Sequence, residues 1–95
     1  MINRSLISVI IVTHQRPQAL DLCLKSLLQQ KSVSEFELLV VLNGPDEASA
    51  EFLRQQNIEF IALEKRMTPA GARNLAAQKS QCKWLLFLDD DVILP

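Results

Sequence analysis

Residues 6–12, Leu-Ile-Ser-Val-Ile-Ile-Val, are almost wholly apolar and rich in β-branched side chains. That is the pattern of a central parallel strand covered on both faces. Arg16-Pro17 follows, and proline suits the first turn of a helix. Leu20, Cys23, Leu24, Leu27 and Leu28 then recur at i, i+3, i+4, i+7 and i+8, which draws one apolar stripe along that helix. Phe36-Glu37 leads into a second buried strand over residues 38–42. The turn Asn43-Gly44-Pro45-Asp46 opens a short helix whose expected buried contacts are Ala48, Phe52 and Leu53. Residues 58–63 alternate only in part, as expected of a strand nearer the sheet edge. Thr68-Pro69 is a cap and first-turn pair for a third helix, with Leu75 and Ala76 facing inward. Trp84-Leu85-Leu86-Phe87-Leu88 reads as a last buried strand, and it ends at Asp89-Asp90-Asp91.

The order β-α-β-α-β-α-β predicts an α/β fold: a three-layer α/β/α arrangement with a mainly parallel sheet and right-handed crossovers. Nothing in residues 1–95 reads as a repeat, a low-complexity tract or a linker, so a single domain is expected. In such sheets ligands bind beyond the carboxyl ends of the strands. The polar segments at those ends are Thr13-His14-Gln15-Arg16, Asn43-Gly44, Glu64-Lys65-Arg66 and the three aspartates. Donors, cations and carboxylates thus gather on one edge, which suits a phosphorylated ligand with its metal. Side chains alternate on extended backbone, so Asp89 and Asp91 are expected to point the same way. A divalent cation would turn their repulsion into binding energy. The competing reading is a solvated turn or a helix cap, where aspartate is common.

Composition narrows the classes. Ten basic and eleven acidic residues give a net charge of −1, so no broad field steers the chain toward nucleic acid. The two cysteines are far apart in sequence and there is one histidine, which argues against a zinc site. They read as reduced, buried thiols of a soluble cytoplasmic protein. The N-terminus lacks the ordered regions of a signal peptide, and no apolar run approaches the ~20 residues that cross a bilayer. Gly44 and Gly71 are the only glycines, so neither a dinucleotide-binding nor a phosphate-binding glycine loop exists. Phosphate would have to be held by side chains, metal and helix N-termini. A receiver domain is disfavoured too, since Thr13-His14-Gln15 stands where its acids would follow the first strand.

Three segments, taken in order, carry a resemblance: LISVIIVTHQRP over 6–17, Ala72-Arg73-Asn74, and Leu86-Phe87-Leu88-Asp89-Asp90-Asp91. They resemble the family-2 glycosyltransferases of GT-A fold, with their Thr-Tyr-Asn-Arg-Pro-like turn, ARN helix and DXD-bearing strand end. The resemblance implies binding of a nucleotide-diphospho-sugar with Mn²⁺ or Mg²⁺ for inverting transfer to a saccharide or lipid-linked acceptor. It implies that the chain is the N-terminal, donor-binding portion of a longer catalytic domain, inactive by itself and supplying no general base. Thr13 and His14 would lie beside the base, His14 standing for the family's tyrosine; Arg16, Asn43 and Arg73 would contact the nucleotide. Asp89 would contact the ribose or the metal, Asp91 would ligate the metal, and Asp90 either. Leu42 stands where the family has a base-reading acid, so base discrimination is expected to be weakened or altered: either Asn43 or Asp46 substitutes, or the donor nucleotide differs, or binding is lost. Arg66 reads as ordinary solvated charge. The alternatives are a non-catalytic nucleotide- or metal-binding module and a structural α/β domain. An exposed edge at the last strand is expected to invite self-association.

Overall fold

A computed structural model describes residues 7–30 and 36–95. Leu6, expected to start the first strand, and the N-terminal residues weighed as a signal peptide lie outside the described residues. The elements are β1 (Ile7–Thr13), α1 (Pro17–Leu28), β2 (Glu37–Leu42), α2 (Glu47–Gln55), β3 (Phe60–Ala62), α3 (Pro69–Lys79) and β4 (Trp84–Asp89). All strand pairs are parallel and the sheet order is β3-β2-β1-β4. Ile10 pairs with Leu39 on one side and with Phe87 on the other, so β1 is the centre of the sheet.

Alternation along the central strands divides their side chains between two cores. Val9, Ile11, Val40 and Leu42 pack with Leu20, Cys23, Leu24 and Leu27 of α1 and with Ala50 and Leu53 of α2. Ile10 and Val41 face the other way, onto Ala72 and Ala76 of α3. Two alanines on one helix face let α3 approach the sheet closely. The result is the expected three layers. Thr68 caps α3, its Oγ1 accepting from the Gly71 N–H at 3.1 Å, and Asp46 caps α2, accepting from the Ser49 N–H at 3.2 Å.

Four expectations about burial need correction. Leu28, placed on the α1 stripe, is exposed, because the helix ends there. Ala48 is exposed and Phe52 half-buried, since α2 turns Ser49, Ala50 and Leu53 inward instead. Leu75 is only half-buried; Ala72 takes the inward place beside Ala76. The largest difference is β4, read as buried: Trp84, Leu85, Leu86 and Phe87 are all exposed. Its outer edge has no partner strand among the described residues, and α3 packs over β1 and β2 rather than over β4. Residues 58–63 shorten to the three-residue edge strand β3.

Candidate functional site

The carboxyl ends of β1 and β4 are joined through one buried acid. Thr13 Oγ1 donates to Asp90 Oδ2 at 2.7 Å, and Arg16 Nη1 donates to Asp90 Oδ1 at 2.9 Å. A buried carboxylate must find such partners, and here both oxygens have one. The alternation expected of the three aspartates stops at Asp89, where β4 ends; the Val92 N–H then bonds the Asp89 carbonyl at 3.2 Å and closes a turn. Asp89 and Asp91 are therefore not a matched pair on one strand face. Asp89 Oδ1 lies 3.5 Å from Arg73 Nη2, and Asp91 Oδ2 lies 3.9 Å from Arg16 Nη1. Beneath them, burial and the charges of Asp90 and Asp91 push the Cys23 thiol above its ordinary pKa, so it stays protonated near neutral pH.

Next to this join is a cavity of about 230 Å³ lined by Val12, Thr13, His14, Arg16, Asn43, Arg66, Pro69, Arg73 and Asp90. Gly44 lies against two of its lining residues, His14 and Arg66. Its φ is +113°, a conformation that side chains rarely adopt, and a Cβ there would stand 3.3 Å from His14 Cε1. The imidazole thus rests on a bare backbone, and its Nδ1 is buried without a hydrogen-bond partner among the described residues. Asn43 is held at both ends of its amide: Nδ2 donates to the Met67 carbonyl at 3.0 Å, and Oδ1 accepts from the Met67 N–H at 2.8 Å. That clamp fixes the loop between β3 and α3, and with it Arg66.

Of the residues singled out from sequence, Thr13, His14, Arg16, Asn43 and Arg73 line this one cavity. Asp89 and Asp91 stand on its rim through their arginine partners, while Asp90 is its lining acid. Arg66, read as ordinary solvated charge, lines the cavity as well; its place just beyond β3 and before the α3 cap was the signal for it. Leu42 requires the opposite correction. It is fully buried in the core against α1 and α2, because β2 turns alternate residues to that face, and so it does not face the cavity. Among the described residues no three His, Cys, Asp or Glu side chains converge on a metal-sized point. No helix of the described residues is long and apolar enough to cross a membrane. A second cavity, about 240 Å³, lies toward the other end of the strands with Glu37, Glu59 and Lys79 on its walls.

Known proteins share this fold and sequence. A mannosyltransferase from Pyrobaculum calidifontis, solved with GDP-Man and Mn²⁺, superposes with a TM-score of 0.87 at 18% identity, over 98% of this chain and 29% of its own. Residues 1–349 of S. aureus TarS give 0.81 at 26% identity, over 92% of this chain and 28% of that one. An uncharacterized glycosyltransferase from Haemophilus influenzae is 36% identical over 91 residues, covering 90% of this chain and 29% of its own length. The teichoic acid poly(glycerol phosphate) polymerase of Staphylococcus epidermidis is 28% identical over 91 residues, 90% of this chain and 12% of its length. The chain therefore spans about a third or less of these proteins. The sheet and its layers are those of the GT-A fold, and the family profile described as Glycosyl transferase family 2 matches residues 8–95. The chain belongs to glycosyl transferase family 2.

Proposed function

We propose that this chain is the donor-binding region of a metal-dependent glycosyltransferase that takes a nucleotide-diphospho-sugar. The observation that carries the reading is the convergence of Arg16 and Arg73 on one cavity at the strand ends, with Asp89 and Asp91 on its rim. Guanidinium groups bind phosphate oxygens in a planar, two-pronged geometry. The acids fit a divalent cation. The Asp89 and Asp91 side chains are 70% and 64% exposed, so their oxygens face solvent, while Asp90 is withdrawn into its own hydrogen bonds. Mg²⁺ and Mn²⁺ favour such oxygen donors, and Mg²⁺ is commonly held by one or two carboxylates plus substrate phosphates. When bound, the cation would neutralise charge on the departing nucleoside diphosphate.

The protein's own groups divide the remaining work. Arg16 and Arg73 each hold one rim acid and can turn toward phosphate as the ligand enters. His14, beside Gly44, offers a ring to a base. The acceptor, a saccharide or a lipid-linked hydroxyl, would attack the anomeric carbon with inversion once a general base is in place. No described residue of the cavity is placed for that role, so the chain by itself is proposed to bind donor without transferring it.

Calorimetry with a nucleoside diphosphate tests this, with and without Mn²⁺, on the native chain and on Asp91→Ala. Metal should tighten binding at least about tenfold in the native chain and far less in the variant, as expected when an ion bridges carboxylate and phosphate. Equal affinity in all four cases defeats the proposal. Metal-dependent glycoside formation by the 95 residues alone would instead place a base among them.

A further inference from the structure

The strands run β3-β2-β1-β4 across the sheet, so Arg66, just beyond β3, and the acids of β4 stand at opposite ends of the cavity mouth. On the donor-site reading above, metal and diphosphate occupy the β4 end, and the nucleobase is left the β2–β3 end. Arg66, which lines that end, is one-sided in its hydrogen bonding. Arg66 carries five N–H donors and no acceptor, and it makes no ion pair with any described residue. Its Cβ and the His14 ring lie within 3.6 Å and 3.4 Å of the point where a Gly44 Cβ would stand, so they flank the same patch of bare backbone. The unpartnered His14 Nδ1 is buried, and the carboxylate and amide oxygens nearby are already bonded. Both ends of the Asn43 amide are bonded to Met67, Leu42 is in the core, and both oxygens of Asp90 are taken by Thr13 and Arg16.

We propose that Arg66 is the base-selecting residue, and that it selects a base with two adjacent acceptors, with His14 as the stacking surface. Guanine offers such a pair at O6 and N7, the edge on which arginine forms its commonest two-pronged base contact. Cytosine offers another at O2 and N3. Uracil and adenine each place a donor beside an acceptor, and that donor would meet either a guanidinium or nothing. Leaving a polar group unpaired on binding costs more than a missing contact. The selection therefore acts by rejection as much as by attraction.

The test is calorimetric titration of the chain, in Mn²⁺, with GDP, CDP, UDP and ADP. GDP or CDP should bind on the order of tenfold tighter than UDP and ADP, the size of one two-pronged contact; which of the two wins identifies the base. Arg66→Ala should bring all four to within about twofold of one another, in keeping with loss of that contact. Arg66→Lys keeps the charge but loses the fork, so it should also lose the preference while holding its overall affinity. Arg66 is exposed, and thermal melts of both variants should match the native chain. UDP binding as tightly as GDP and CDP in the native chain overturns the inference. So does a preference that survives Arg66→Ala, or an equal weakening of all four ligands, which would make Arg66 a phosphate contact. In each of those cases the donor-site reading stands; it falls, and this inference with it, only when no diphosphate binds.

Discussion

Thr13 and Arg16 occupy both oxygens of Asp90, at 2.7 and 2.9 Å, so the middle acid of the triplet ties the end of β1 to the end of β4. Its neighbours are freed for a ligand by the same arrangement, because the turn that buries Asp90 sends Asp89 and Asp91 outward to different arginines. A similar division holds at the end of β2. Leu42 faces α1 and α2 from within the core, and the next residue, Asn43, lines the cavity. Placing an acid at 42 would therefore not supply a base acceptor. It would bury a carboxylate among Ile11, Leu24 and Leu53 without a partner. Leu42→Asp should lower stability by at least about 3 kcal/mol, the size expected for losing core packing and burying an unpaired polar group. Chemical denaturation measures this, and UDP affinity of the fraction that folds should not rise. A stable variant with improved UDP binding would show that residue 42 reaches the ligand.

The helix that presents Arg73 is seated by its two smallest core residues. Ala72 and Ala76 are fully buried against Ile10 and Val41, and each side chain fills its contact without holding α3 away from the sheet. Ala72→Leu would force extra methylenes into that contact, at a cost of about 1–3 kcal/mol. The displaced helix should also carry Arg73 away from Asp89, now 3.5 Å distant. The expected result is a lower melting temperature together with weaker nucleotide binding. Arg73→Ala, which leaves the contact intact, should weaken binding alone; equal losses of stability in both variants would refute the seating argument. The order and type of every element were legible in the chain, because β-branched runs, helical stripes and proline-led starts act locally. So were the places of Thr13, His14, Arg16 and Asn43, since the carboxyl ends of parallel strands converge, while Arg73, on α3, came from the resemblance of its Ala-Arg-Asn motif. The buried role of Asp90, the occupied amide of Asn43 and the inward side of Leu42 were not legible. Each depends on where a strand stops and which face the next residue takes, and a one-residue shift reverses both.

For the whole molecule, the unusual surface is β4. Trp84, Leu85, Leu86 and Phe87 are 62%, 40%, 46% and 44% exposed, and consecutive strand residues point to opposite faces, so both faces are open. The outer edge also presents unpaired backbone donors and acceptors among the described residues, a template for another strand. Its flanks are charged with opposite signs: Lys83 precedes it, and the exposed Asp89 and Asp91 end it. Two copies of β4 laid antiparallel would bring the lysine of each copy to the aspartates of the other, a self-complementary twofold arrangement. The 95-residue chain should therefore form dimers as its concentration rises, and salt should weaken them. Leu86→Lys places a charge in the middle of that edge and should raise the dimer dissociation constant at least about tenfold, since like charges would then face each other across the pair. Sedimentation velocity over a range of concentrations measures it. Any segment that covers β4 in a longer polypeptide would compete for the same edge, so the measurement belongs to this chain alone. A native chain that stays monomeric throughout, or a variant that dimerises as strongly as the native chain, would rule out β4 as the contact.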